Sequence, residues 1–289
     1  MLYSWLFAHC AHDRAKGEYG IAKTADELLY DKEEVQPLIR ELLDEGLVLV
    51  ESPHEPGHKP HHRFYMGKTT VSQALWVALM RENPSFYPKN DRNEAELYPV
   101  DDVFIDDCLA FIRLLNERPE VKERKLLFRL PEKDEWRFAS AAGGASYQTG
   151  RHACAKKGIR LEEVAWYKGN PSCFNRNRSA LPMPAITRIG SDGIWPRELA
   201  PAEIPGPRPM GILKENDFHL FDMYGNLWEW TLEKGAAQGL LFGGSWADGP
   251  DACGWKPRST LPNRGEGVTG LRLVAVRKAG RRKQEKNGV

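Results

Sequence analysis

The sequence predicts an α+β fold that is poor in regular secondary structure. Short amphipathic helical stretches and short apolar runs of strand length are separated by irregular segments. Proline (20) and glycine (26) are plentiful, which favours turns over long elements. The stretch Leu220–Trp246, LFDMYGNLWEWTLEKGAAQGLLFGGSW, concentrates Trp228, Trp230 and Trp246, with Gly225, Gly243 and Gly244 at turn positions. Aromatics at that density need a core, and the glycines permit backbone conformations that other residues resist. Asp222 and Glu229 bracket the turn, and Glu229 lies between two tryptophans. A carboxylate in such surroundings needs a partner, because burying it unpaired is costly. Two readings are open. The carboxylates cap backbone N–H groups in a hydrogen-bonded turn, or they hold a Ca²⁺ ion together with backbone carbonyls.

A chain of 289 residues fits one large domain, or a large domain with a small one. Its hydrophobic fraction of 41% and aromatic fraction of 10% are those of a chain with a real core. A net charge of +1 sets up no global field that would draw nucleic acid or an anionic membrane. Cys10, Cys108, Cys154, Cys173 and Cys253 are odd in number and scattered, with no Cys-x-x-Cys pair, which argues for a reducing compartment. The N-terminal MLYSWLFAHC lacks a basic n-region, and His9 breaks its apolar run, so no secretory signal is expected. No apolar run approaches the ~20 residues of a membrane span. The expected location is cytoplasmic.

Taken in order, residues 2–14 read as a helix, and Thr24 as the cap of a second, TADELLY. Asp31 caps a third, KEEVQPLIRELLDE, with Val35, Leu38, Ile39, Leu42 and Leu43 on one stripe, Pro37 as a kink and Gly46 as the stop. LVLVES follows as a strand. Three helices and a strand give residues 1–52 a winged-helix-like order, although LVLVE also fits as the first strand of the main domain. Those residues carry five Lys/Arg against eleven Asp/Glu, the wrong balance for DNA. His54, His58, His61 and His62 crowd a Pro/Gly-rich loop without a complementary ligand set, which reads as solvated. FYMGKTTVSQALWVALM gives a strand and a helix capped by Ser72, with Leu75, Trp76, Leu79 and Met80 inward. NPSFYP is a turn. Residues 106–118 form an amphipathic helix carrying Leu109, Phe111, Ile112 and Leu115. RLPEKDEWRFASAAGG gives a strand, a helix start at Pro131 and a stop at Gly143-Gly144. Residues 171–208 and 247–268 are irregular, GLRLVAVR is a final strand, and residues 278–289 form a basic flexible tail.

The order FYMGKTTVSQALW, PVDDVFIDDCLAFIRLLNE, RLPEKDEWRFASAAGG, VAWYKGN, FDMYGNLWEW, FGGSW and GLRLV resembles the formylglycine-generating enzyme (sulfatase-modifying factor) domain family over about residues 60–277. The resemblance implies a C-type-lectin-like fold over residues 53–277. It also implies a calcium site at Asp222, the carbonyls of Gly225 and Leu227, and Glu229. Oxidase members of the family hold copper(I) between two cysteines, the third and eighth residues after the Gly-Gly-Ser serine. From Ser245 the eighth is Cys253, but the third is Asp248, a hard oxygen donor ill suited to copper(I). Phe242 stands where an arginine is usual. Copper chemistry is therefore not expected; were the chain an oxidase, Cys253 would be its remaining active-site thiol. The sulfoxide-forming branch binds iron through histidines of an N-terminal bundle, and residues 1–52 offer only His9 and His12. A further branch, the variable proteins of diversity-generating retroelements, displays a ligand-binding surface between a Gly-Gly-Ser-Trp block and a Gly-x-Arg-Leu-Val-like strand. GGSW-ADGPDACGWKPRSTLPNRGEGVT-GLRLV has that layout. The expectation is a non-catalytic protein binding a protein or other macromolecular ligand through residues 247–268. Its contact residues would be Asp248, Trp255, Lys256, Thr260, Leu261, Glu266 and Val268, with Trp255 as exposed anchor.

Overall fold

The structure is a computed structural model that describes residues 32–52, 63–89, 91–142, 158–169, 206–233, 239–258, 262 and 264–278. The two helices expected before residue 31, the four-histidine loop, most of the 171–208 segment and the tail from residue 279 lie outside these. Helix α1 (Lys32–Asp44) buries Val35 and Ile39 and runs through Pro37 without a break. Strands β1 (Leu47–Glu51) and β2 (Arg63–Gly67) pair antiparallel. Helix α2 (Gln73–Met80) starts at Ser72, whose hydroxyl accepts the Leu75 N–H. Then come α3 (Arg92–Leu97), α4 (Ile105–Glu117), α5 (Pro119–Glu123), β3 (Leu126–Arg129) and α6 (Lys133–Ser140). Among the described residues, the C-terminal half has short strands, β4 (Ala165–Trp166), β5 (Tyr224–Gly225), β6 (Trp228–Leu232), β7 (Gly239–Phe242), β8 (Thr269–Gly270) and β9 (Val274–Arg277), and two single 3-10 turns at Leu161–Glu163 and Pro250–Ala252.

The main sheet has the order β1-β2-β9-β3, antiparallel throughout. Side chains alternate across a strand, and here both faces are covered. Tyr65, Ala275 and Phe128 share one face and join the core built with α1, α2 and α4. Met66 and Val274 share the other and join a second core around Trp136, Tyr224, Phe242 and Trp255. A three-stranded sheet, β7-β6-β8, carries Trp228 and Trp230 into the first core. Strands β4 and β5 pair in parallel. Among the described residues, no helix is long and apolar enough to cross a membrane.

Three expectations change. First, β1 is a strand of the main sheet and α1 packs into its core, so a boundary at residue 52 would divide one folded body. Second, α4 turns Cys108, Phe111, Ile112 and Leu115 inward, whereas Leu109 is 39% exposed. The inward stripe follows the i, i+3, i+4, i+7 spacing from Cys108, which Leu109 does not share. Third, the final run splits into β8, which pairs with β6, and β9, which pairs with β2 and β3, with the wholly buried Arg272 between them.

Gly225 marks the tightest contact. Its φ is +73°, and a Cβ there would stand 2.1 Å from the Trp166 carbonyl oxygen. Gly249, with φ −73°, faces open space. Gly225→Ala is expected to destabilise the protein by more than about 3 kcal/mol in urea unfolding. Gly249→Ala is expected to be neutral or stabilising by up to about 1 kcal/mol. Equal effects would contradict this packing.

Candidate functional site

A buried ion pair lies under the Trp-rich strand. Glu229 of β6 and Arg272 are both almost wholly buried. The Arg272 Nη2 donates to Glu229 Oε1 at 2.7 Å, and Nε lies 3.1 and 3.0 Å from Oε1 and Oε2. Nη1 donates to the carbonyls of Gly67 (2.9 Å) and Lys68 (2.8 Å), and Nη2 also to that of Phe221 (2.8 Å). The indole Nε1 of Trp136 on α6 donates to Glu229 Oε2 at 2.7 Å. The partner that Glu229 needs among the tryptophans is thus supplied by Arg272 and Trp136, and both its oxygens are engaged.

Asp222 sits beside this pair with φ +54°. One carboxylate oxygen accepts the Gly211 N–H at 2.8 Å. The other, Oδ1, is buried and meets no donor. Burial pushes this carboxyl up to about 6, against the pull of the Gly211 N–H and the Arg272 charge. Of the expected calcium ligands, Asp222 has an oxygen to offer a hard cation, whereas Glu229 is committed to Arg272. Gly225 and Leu227 contribute backbone between them on β5 and the turn into β6. Among the described residues, no three His, Cys, Asp or Glu side chains converge as a metal cluster.

The Gly-Gly-Ser turn forms a second constellation. Gly244 has φ +83°, and a Cβ on it would stand 2.9 Å from the Ala252 carbonyl, so residues 252–253 lie directly on the turn. Ser245 Oγ and Trp228 Nε1 (2.8 Å) both donate to Asp248 Oδ2, while the Asp248 carbonyl accepts the Lys168 N–H at 2.8 Å. The Cys253 thiol is wholly buried, and burial, then the Asp248 charge, push it up to about 12. It is a protonated thiol at neutral pH, and the thiolate is the form that attacks or binds metal. Phe242 is a core residue stacked 5.5 Å from Trp136.

The expected contact residues divide. Trp255 is only 7% exposed and lies in the second core with the Arg137 guanidinium 5.8 Å from its ring, so it is not an exposed anchor. Val268 is buried in the first core. Asp248 is held within its turn. Lys256 is exposed, and Glu266 is half-buried in an ion pair with Arg258 at 2.9 Å. Thr260 and Leu261 lie outside the described residues. Residues without a functional signal in the sequence also border this segment. Phe86 and Tyr87, between α2 and α3, are half-buried, and Tyr87 meets Trp246 edge-on at 5.5 Å. Arg264 covers Phe104 at 4.4 Å and pairs with Asp107 at 3.2 Å. The only signal for the aromatic pair was its place in NPSFYP, which reads as a turn.

The family description "Sulfatase-modifying factor enzyme 1-like domain" matches residues 42–277. Chaperone protein LppX of Paenibacillus barcinonensis is 25% identical over 198 residues, 59% of this chain and 62% of that protein. Inactive C-alpha-formylglycine-generating enzyme 2 of Bos taurus is 28% identical over 128 residues, 43% of this chain and 34% of that protein. The chain thus spans less than two thirds of either curated relative. Among solved structures, Treponema denticola variable protein 1 superposes with a TM-score of 0.51 at 19% identity, covering 80% of this chain and 95% of that one, a likeness of fold. Because the match at residues 42–277 takes in most of the chain, from α1 to β9, the protein belongs to the sulfatase-modifying factor enzyme 1-like domain family, with its C-type-lectin-like fold.

Proposed function

We propose that this chain is a non-catalytic ligand-binding protein that presents the 247–268 segment on its family scaffold to a protein or other macromolecular ligand. The observation that carries the reading is at Asp248. A carboxylate held by Trp228 and Ser245 occupies the position where a second thiolate would be needed, next to a Cys253 thiol that stays protonated. Copper(I) needs soft sulfur donors and finds one thiol at most. Among the described residues, the segment leaves Lys256, Arg264 and Glu266 exposed or half-buried, and its residues 265–267 lie against Phe86 and Tyr87. The fold shared with a variable protein supports the reading without carrying it. A net charge of +1 disfavours nucleic acid as the partner. The free, buried thiols of Cys108 and Cys253 suit a reducing, cytoplasm-like compartment.

The wild type is expected not to convert the cysteine of a sulfatase-motif peptide with copper and dioxygen, and not to take copper(I) from a colorimetric chelator. Asp248→Cys is expected to gain copper(I) binding of at least about tenfold, since it supplies the missing soft donor. Turnover by the wild type that disappears in Cys253→Ala would replace this reading with the oxidase one.

The same proposal includes a structural calcium ion at Asp222, completed by the carbonyls of Gly225 and Leu227, with Glu229 balancing Arg272. The unsatisfied Asp222 Oδ1 supports it. Chelator is expected to lower the wild-type melting temperature by a few degrees, about the effect of 1 kcal/mol in a domain of this size. Asp222→Asn is expected to be indifferent to chelator. An equal shift in both proteins would remove calcium from Asp222.

A further inference from the structure

Two adjacent carboxylates just ahead of α4 play no part in the sites above. Asp101 is wholly buried, and Asp102 is 9% exposed with φ +59°. Asp101 Oδ1 accepts the backbone N–H of Phe86 at 2.7 Å and of Tyr87 at 3.3 Å, while its Oδ2 is buried and meets no donor. Asp102 accepts the Gly265 N–H with both oxygens, at 2.8 and 3.0 Å. Left-handed backbone at Asp102 turns the chain between the two, so neighbours in sequence hold different segments. One holds the aromatic pair of the α2–α3 connection, and the other an arm of the 247–268 segment.

The two segments touch. A Cβ on Gly267, where φ is +59°, would lie 2.7 Å from the Tyr87 ring and 3.1 Å from Asp101 Oδ1. The aromatic connection is fixed from behind by buried Gln73. Its Nε2 donates to the Tyr87 and Pro99 carbonyls at 3.1 and 3.2 Å, and its Oε1 accepts the Asn83 amide at 3.0 Å and the Lys89 N–H at 2.8 Å. Ser85 Oγ accepts the Asp101 N–H at 3.1 Å.

We propose that Asp101 and Asp102 form a two-armed latch that keeps Phe86–Tyr87 in register with residues 264–267, and so act as positioning residues for the ligand surface. This deepens the display reading and rests on it for its purpose. The latch responds to protons. Burial pushes the Asp101 carboxyl up to about 7, the Asp102 charge adds to the rise, and the N–H bonds and the Lys89 ammonium oppose it. Lys89 stands 3.9 Å over the Tyr98 ring, within reach of the Glu94, Asp101 and Arg208 charges. The native state therefore holds a proton that the unfolded chain releases above its ordinary carboxyl value. The stabilisation linked to that proton is present below pH ~4 and is lost as pH rises through about 7. Ionisation also makes Oδ1 a stronger acceptor, so the bonds to Phe86 and Tyr87 tighten over the same range.

The test follows the amide signals of Phe86, Tyr87 and Gly265 by NMR from about pH 5 to about pH 9. The Phe86 and Tyr87 amide protons are expected to move downfield with a common midpoint near pH 7, with Gly265 stepping at the same midpoint. Asp101→Asn is expected to abolish all three steps. Asp102→Asn is expected to keep the first two, shifted to lower pH by loss of the like charge. The wild-type titration stands alone if a variant fails to fold. Flat Phe86 and Tyr87 signals, or a silent Gly265 while they titrate, would overturn the latch. No ligand enters the readout, so a chain that binds nothing on residues 247–268 could still show the titration, and the converse.

Discussion

One guanidinium group holds the C-terminal half of this protein to its main sheet. Arg272 brings a full charge into a dry core, which is tolerable only if nearly every donor finds an acceptor. Its acceptors come from separate parts of the chain: Gly67 and Lys68 at the end of β2, Phe221 ahead of β5, and Glu229 on β6. Trp136 on α6 fills the remaining side of the carboxylate. Among the described residues, no strand is longer than five residues, so strands alone do little to fix the placement of the loops. A hub of charge-assisted hydrogen bonds does that work, at the point where the chain passes from the β7-β6-β8 sheet to the main sheet.

Much of this was legible in the residues, for identifiable reasons. The helix starting at Ser72, the α1 stripe and the strand RFYMG follow local rules of capping and periodicity, and the structure keeps them. The need of Glu229 for a partner was also legible, but its identity was not. A carboxylate between tryptophans calls for a cation, and nothing local says that the cation is an arginine forty-three residues on. Leu109 and Cys108 are neighbours on one helix, and the i, i+3, i+4, i+7 spacing of Cys108 with Phe111, Ile112 and Leu115 already marks Cys108 as the inward one. Trp255 sits in a segment without periodicity, so its burial depends on Arg137 and the second core, which are distant in sequence. The partnership of Phe86 and Tyr87 with residues 264–267 is likewise tertiary.

The same scaffold separates structure from chemistry. In the Gly-Gly-Ser turn both glycines have positive φ and are crowded, Gly244 by residues 252–253 and Gly243 by the Met223 carbonyl and the Trp136 ring. Asp248 then serves as the acceptor that closes the turn, a structural task for this side chain. Cys253 beneath it is wholly buried.

The most direct test of the central claim is a double-mutant cycle between Arg272 and Glu229, read by urea unfolding with Arg272→Met, Glu229→Gln and the pair. Each single change leaves a buried partner unbalanced and is expected to cost about 3–5 kcal/mol. The double variant should recover part of that loss, with a coupling of about 2 kcal/mol or more. Additive losses, or an Arg272→Met protein within about 0.5 kcal/mol of wild type, would contradict the view that this pair holds the fold together.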